Sequence, residues 1–481
     1  MTLVPSSVAR TTDAPRGLDH CPTGIDGLDR VTNGGLPRGR TTLVAGGAGC
    51  GKTLLATEFL VRGVERGEPG IFVAFEETAD ELTANVASLG WDLQQLSQDD
   101  LLVVDHVKVE REQIDQTGDY DLTALFIRIG YAIDRIGARR VVLDTLEVLF
   151  SALDDTATLR AELRRLFTWL KDKGVTAIVT AERGEGSLTR HGLEEYVSDC
   201  VISLDHRVDE QAAVRRLRVV KLRGSAHGTN EYPFVIDSGG FSVVPVTSFD
   251  LDHPAATDVV STGVAGLDEM IGSRGWYRGS TTMISGESGS SKTTFAAHFA
   301  NAACERGDRC LYLAFEESEA QIVRNMASVG LDLQRWLDAG SLRIIASRPT
   351  QTGLESHLTT LYRLVEAYRP QAVVIDPITD FTTLGTSLDV TALLMRIVDY
   401  LKVQQITAVF TSLMHRNTSV DDPTVSSLID NWVQLRNVET DAERNRGVFI
   451  QKARGMSHSN QVREFVLDDG GITLLDRKVL G

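Results

Sequence analysis

One segment occurs twice in this chain, and the duplication limits the fold more than any other feature. The first copy, TTLVAGGAGCGKTL (Thr41 to Leu54), runs from a short apolar strand through Gly46, Gly47, Ala48, Gly49, Cys50, Gly51, Lys52 and Thr53 into an apolar helical pattern (Leu54, Leu55, Phe59, Leu60). The second, TTMISGESGSSKTTF (Thr281 to Phe295), runs through Gly286, Glu287, Ser288, Gly289, Ser290, Ser291, Lys292 and Thr293, with Lys292 placed 240 residues after Lys52. IFVAFEETADEL (Ile71 to Leu82) returns as LYLAFEESEAQI (Leu311 to Ile322) at the same offset of 240. RRVVLDTL, with Asp144, matches AVVIDPIT, with Asp376, at 232, and VVKLRGSAH (Val219 to His227) matches FIQKARGMSH (Phe449 to His458) at 231. The leaders PTGIDGLDRVTNGGLPRG and STGVAGLDEMIGSRGWYRG match as well. Collinear landmarks with so little drift describe a duplicated domain.

Each copy alternates apolar strands with amphipathic helices. In the first, strands are expected to end near Ala45, Phe75, Asp105, Asp144 and Ala181, with helical patterns such as Leu122 to Gly137 and Thr158 to Lys173 between them. That alternation specifies an α/β fold in each half, a mainly parallel twisted sheet flanked by helices, with ligands at the carboxyl ends of the strands. The expected division is a disordered segment over 1–18, a first domain over 19–246, a polar linker over 247–258 and a second domain over 259–481. A chain of 481 residues is too long for one ordinary core. Its net charge of −17 argues against a broad basic surface for tracking nucleic acid. The five cysteines (Cys21, Cys50, Cys200, Cys304, Cys310) form no C-x-x-C pair, so neither a zinc ribbon nor a disulfide framework is indicated. Nothing reads as a signal peptide or a bilayer span, and the expected compartment is the cytoplasm.

The glycine-rich loops are phosphate cradles: glycines let successive N–H groups turn inward, and a helix N-terminus adds partial positive charge. Lys52 and Lys292 are placed for the β- and γ-phosphates of a nucleoside triphosphate, Thr53 and Thr293 for Mg²⁺. Glu76-Glu77 and Glu316-Glu317 each end an apolar strand, where a carboxylate can orient an attacking water; the plainer reading is a solvated pair opening a helix. Asp144 and Asp376 close apolar runs, a place for a carboxylate that orients Mg²⁺, or for an ordinary turn aspartate. Lys221-Leu222-Arg223 and Lys452-Ala453-Arg454 set two cations on one strand face, for phosphate contact or merely for edge protection. Spacing does not say whether they serve their own nucleotide or a neighbour's. Ser291 stands where the loop pattern wants glycine. A left-handed backbone there costs about 1–2 kcal/mol, and is expected to weaken ATP binding roughly five- to thirty-fold.

These residues resemble the KaiC family of circadian clock ATPases, within the RecA-like superfamily. The resemblance runs from about Cys21 to Gly470 and rests on the doubled loops, the doubled FEE, KLRGSAHGTNEYPF and GLEEYVSDCVISL (Gly192 to Leu204). It implies two tandem RecA-like P-loop domains in a hexameric double ring, with ATP and Mg²⁺ at subunit interfaces. Lys221, Leu222, Arg223, Ser225 and His227, with Ser88, are then nucleotide contacts of the first ring, and Arg446, Lys452, Ala453, Arg454 and His458 of the second. Glu76 is implied as the residue that activates water. Glu316 is implied at the second site, near the metal, where phosphoryl transfer goes to Ser426 and Ser427 of a neighbour. The segment Val107 to Tyr120 lies where the family docks KaiB, which leaves a place for a KaiB-like partner. The chain stops soon after DDGGITLLDRKVLG, so no KaiA-like activator is expected. Two other functions use the same fold: a DNA recombination or repair ATPase, and a scaffold whose second ring binds nucleotide but transfers nothing.

Overall fold

The computed structural model describes residues 18–107, 122–150, 156–184, 189, 198–209, 212–245, 255–272, 275–348, 353–414, 427–440 and 443–478. Ser426, the place for a KaiB-like partner (apart from Val107) and most of the expected linker lie outside them. The chain divides into two compact units, the first running to Pro245 and the second from Val246, Asp209–Ala212 aside.

The first unit holds β1 (Thr41–Gly46), β2 (Gly70–Ala74), β3 (Leu102–His106), β4 (Arg140–Asp144), β5 (Thr176–Glu182), β6 (Cys200–Asp209), β7 (Ala212–Leu222), β8 (Glu231–Asp237) and β9 (Gly240–Val243). They form one nine-stranded sheet in the order β9-β8-β7-β6-β1-β5-β4-β2-β3. Strands β1 to β6 pair in parallel, and β7-β8-β9 are antiparallel.

The reason is visible in the side chains. Val44, Phe72, Val142, Ile178 and Ile202 fall on one face, under the helix Lys52–Val64 with its Leu55, Phe59 and Leu60. Their alternates Ile71, Val73, Val141, Leu143, Ala177 and Val179 fall on the other, under helices Thr123–Ile136 and Thr156–Asp172. Strands apolar at every position are what a parallel sheet covered on both faces requires. Gly137, at φ 65°, ends the first of those two helices as a left-handed cap.

The second unit repeats this strand for strand. Its β10 (Thr281–Gly286), β11 (Cys310–Ala314), β12 (Leu342–Ala346), β13 (Ala372–Asp376), β14 (Thr407–Leu413), β15 (Asn431–Thr440), β16 (Glu443–Ala453), β17 (Arg463–Asp468) and β18 (Gly471–Lys478) follow the order β12-β11-β13-β14-β10-β15-β16-β17-β18.

One buried polar device is built from different residues in the two copies. Arg140, which opens β4, is 0% exposed. Its guanidinium donates to the carbonyls of Phe59 (2.6 Å) and Pro22 (2.8 Å), pairs with Glu68 (2.6 Å) and stacks over the Phe59 ring. It ties the leader, the P-loop helix and the sheet together. The matching position in the second sheet is Ala372.

Candidate nucleotide sites

Each glycine-rich loop leaves the carboxyl end of the central strand and enters a helix at its lysine. A Cβ built on Gly47 or Gly49 meets nothing within 4 Å, so the loop's outer face is open. Gly51, the helix N-cap, has φ 102°, and a Cβ there meets Ile236 Cδ1 at 2.6 Å. Only glycine suits that position in the first domain. Ser291 adopts φ 73° at the same place in the second. The left-handed angle belongs to the folded loop, so its cost falls on folding of the second domain. Ser291→Gly is expected to raise that domain's unfolding free energy by about 1–2 kcal/mol. Denaturant unfolding followed through tryptophan fluorescence checks this, since Trp276, Trp336 and Trp432 lie in that domain; an unmoved midpoint would show a relaxed serine.

Lys52 is buried and donates from Nζ to the carbonyls of Gly46 and Gly47, both at 2.9 Å. Lys292 does the same to Gly286 (3.0 Å) and Glu287 (2.9 Å). Burial lowers the Lys292 ammonium's pKa, against the pull of Asp376 and Glu316. Asp144 closes β4 beside the loop and accepts from Thr53 Oγ1 (2.9 Å) and from Thr180. Burial raises its carboxyl above the usual range, while the Thr180 and Thr53 hydroxyls and Lys52 oppose that. Asp376 accepts from Thr411 and from the Tyr312 hydroxyl (2.7 Å).

The glutamate pairs divide into two roles. Each follows a buried phenylalanine at the end of its strand (Phe75, Phe315), and a capping box at Thr78 or Ser318 then opens the next helix. Burial raises the Glu76 carboxyl, helped by Asp144 and Glu182 and opposed by Lys52. Glu316 is raised likewise, by burial and then by Asp380 and Asp376, with Lys292 opposing. The second member of each pair is turned to the helix: Asn85 Nδ2 donates to Glu77, and Asn325 Nδ2 to Glu317, both at 3.4 Å. Glu76 and Glu316 thus share an edge with the P-loops, whereas Glu77 and Glu317 brace the helix that follows.

The cations lie at the other end of the sheet. Lys221 is on β7 and Arg223 falls one residue past the strand's end, with Leu222 buried between them and both cations on the outer side. Lys221 Nζ donates to Ser198 O (2.8 Å), and the Arg223 backbone N–H donates to Asp199 O. Asp199 in turn donates its N–H to Thr41 O, at the start of β1. Gly46 ends β1 five residues on, about 16–17 Å away at 3.3 Å per residue. Lys221 and Arg223 therefore cannot meet a phosphate in their own loop. Lys452 (to Ile429 O, 2.6 Å) and Arg454 (to Ser427 O, 3.0 Å, and Asp430, 3.5 Å) sit at the same edge of the second sheet.

Arg446 parts from them. It pairs with Asn437, whose side chain donates to Glu287 in the loop, so it stands at the P-loop edge. Leu222 is core, so only its backbone is available, and Ala453 packs partly against the core. Ser88 is the exposed C-cap of the helix Ala79–Ala87. Ser225 turns to the Ala226 carbonyl, and His458 Nδ1 lies 3.1 Å from Ser459 O. His227 is half-buried in the turn after β7, and Ser427 is exposed.

The model of the KaiC ATPase family matches residues 21–248 and again 260–479. The chain belongs to the KaiC family. It is 54% identical to "Circadian clock protein KaiC2" of Synechocystis sp. over 464 residues, 95% of this chain and 82% of that one. It is 36% identical to "Circadian clock protein KaiC3" of the same organism, covering 95% and 92%. Against "Circadian clock oscillator protein KaiC" of Synechococcus elongatus it is 35% identical, covering 94% and 88%. The duplicated fold is accordingly a pair of RecA-like P-loop domains of a KaiC-family ATPase.

Several residues of these sites are absent from the motif reading. Thr180 and Thr411, which hold Asp144 and Asp376, recur at the offset of 231 that relates the later landmarks, and alignment of TAIVTAE with TAVFTSL exposes them. Asp199 and Asp430, which anchor the distal arginines, recur at the same offset. Tyr312 has no such signal, because its partner in the first domain is Phe72.

Proposed function

We propose that this KaiC-family protein binds ATP at both loops, hydrolyses it at the first and transfers its γ-phosphoryl group to Ser426 and Ser427 at the second, within a hexameric double ring serving timing or related signalling. The observation that carries the ring is the separation within each domain. P-loop, glutamate and aspartate stand at the carboxyl edge, and Lys221, Arg223, Lys452 and Arg454 stand at the opposite edge. Cations so placed complete a phosphate site only for an adjoining copy of the chain.

The residues fit Mg²⁺. No group of three or more His, Cys, Asp or Glu among the described residues is arranged to hold a metal, so an ion must lean on nucleotide phosphates. Thr53 and Asp144, hydrogen-bonded under the loop, are an oxygen pair of the kind Mg²⁺ accepts. Thr53 and Thr293, with Asp144 and Asp376 behind them, would hold it, and when bound it neutralises charge on the transferring phosphoryl group. Glu76 takes up the proton of the attacking water, Lys52 and the loop N–H groups hold the phosphates, and Lys221 and Arg223 of a neighbour stabilise the developing charge. Glu316 performs the corresponding deprotonation of a serine hydroxyl. A KaiB-like partner at 107–120 remains part of this reading.

Incubation with γ-labelled ATP and mapping of the label tests the kinase half. Label is expected on the peptide carrying Ser426 and Ser427. Hydrolysis without label there would end the kinase reading and leave the ATPase.

A further inference from the structure

Of the buried positions at which the two carboxyl edges differ, one touches the loop aspartate. Phe72 on β2 and Tyr312 on β11 hold the same register, Phe72 beside Val142 and Tyr312 beside Val374, and both are buried. Tyr312 adds a hydroxyl, which donates to Asp376 Oδ2 at 2.7 Å. In the first domain the equivalent Asp144 Oδ2 accepts from the P-loop threonine, Thr53, at 2.9 Å. The other carboxylate oxygen is treated alike in both domains, by Thr180 and Thr411. No hydrogen bond joins Thr293 to Asp376 among the described residues.

A threonine that offers its lone pairs to a cation must send its proton elsewhere, and Asp144 takes it in the first domain. In the second, Asp376 is tied to the sheet interior, and the phenol proton draws on its charge. We infer that Tyr312 is a positioning residue that withdraws Asp376 from the P-loop threonine and loosens the second site's hold on the divalent cation that accompanies the triphosphate. This rests on the reading of the Lys292 loop as a nucleotide site. It makes nucleotide retention in the second domain more sensitive to Mg²⁺ concentration than in the first.

The test uses the full chain with Lys52→Ala to blank the first loop, a fluorescent non-hydrolysable ATP analogue, and Mg²⁺ as the titrant. Tyr312→Phe is expected to lower the Mg²⁺ concentration giving half-maximal binding about two- to tenfold, with affinity in EDTA unchanged. Phe at this position already packs in the first sheet, so folding is retained. The reverse change, Phe72→Tyr with Lys292→Ala, is expected to raise the Mg²⁺ requirement of the first site. An unmoved or raised Mg²⁺ midpoint in Tyr312→Phe overturns the inference, as does an equal change in EDTA, which is a packing effect. Absence of binding to the Lys52→Ala chain at any Mg²⁺ concentration overturns the nucleotide reading of the second loop and the inference with it.

Discussion

Glu76→Gln is expected to lower ATP hydrolysis by roughly 10²–10⁴-fold while leaving nucleotide affinity near its original value. The amide keeps the shape of the side chain and removes its capacity to take a proton. Binding depends on Lys52 and the backbone of the loop, which this change does not touch. The pH profile gives a second readout. Burial, Asp144 and Glu182 raise the Glu76 carboxyl, so the base is protonated at higher pH than a free glutamate. Hydrolysis should therefore decline on the acid side of neutrality, over a range where an exposed glutamate stays charged. Glu77→Gln should be mild by comparison, because Glu77 is held by Asn85. Equal turnover in Glu76→Gln and the parent would remove Glu76 from the chemistry.

The second large effect concerns stability. Arg140→Ala leaves a cavity beside Phe59, frees three carbonyls and strips Glu68 of its buried partner. Burial alone would raise the Glu68 carboxyl, yet Arg38 and Arg140 together hold it below the usual range. Breaking a buried pair from one side costs about 3–5 kcal/mol, a large share of the roughly 5–15 kcal/mol that keeps a domain folded. Calorimetry is expected to show the first domain melting earlier and the second unaffected, since its sheet carries Ala372 at that place. Replacing Glu68 as well, by leucine with Arg140→Met, should recover part of the loss, because no charge is then left buried alone. A single-variant loss below about 1 kcal/mol, the range of an exposed pair, would contradict the role assigned to Arg140.

The sequence conveys most of the fold because its signals are local. Apolar runs such as IFVAF and VVLD are strands buried on both faces, and a loop ending in Gly-Lys-Thr is the start of a helix. The ends agree to within a residue: strands expected to stop at Ala45, Phe75 and Ala181 stop at Gly46, Ala74 and Glu182. What stays hidden is set by tertiary geometry. Spacing leaves open which nucleotide Lys221 and Arg223 serve until the sheet places them at its far edge. Glu76 and Glu77 are indistinguishable by spacing and separate only when Asn85, eight residues on, is seen to hold the second. Arg140 reads as an ordinary strand-opening cation, and its enclosure depends on Pro22 and Glu68, both remote in sequence.

The distal cations give the most direct measurement. Glu76→Gln subunits retain Arg223, and Arg223→Ala subunits retain Glu76. Each protein alone is expected to hydrolyse ATP poorly. Mixed and reassembled in one ring, they should regain turnover, because some interfaces then join an intact Glu76 to an intact Arg223 from the next copy. Turnover no higher than the sum of the separate variants, with mixed rings demonstrated by light scattering and mass spectrometry, would contradict completion of each site by a neighbouring chain.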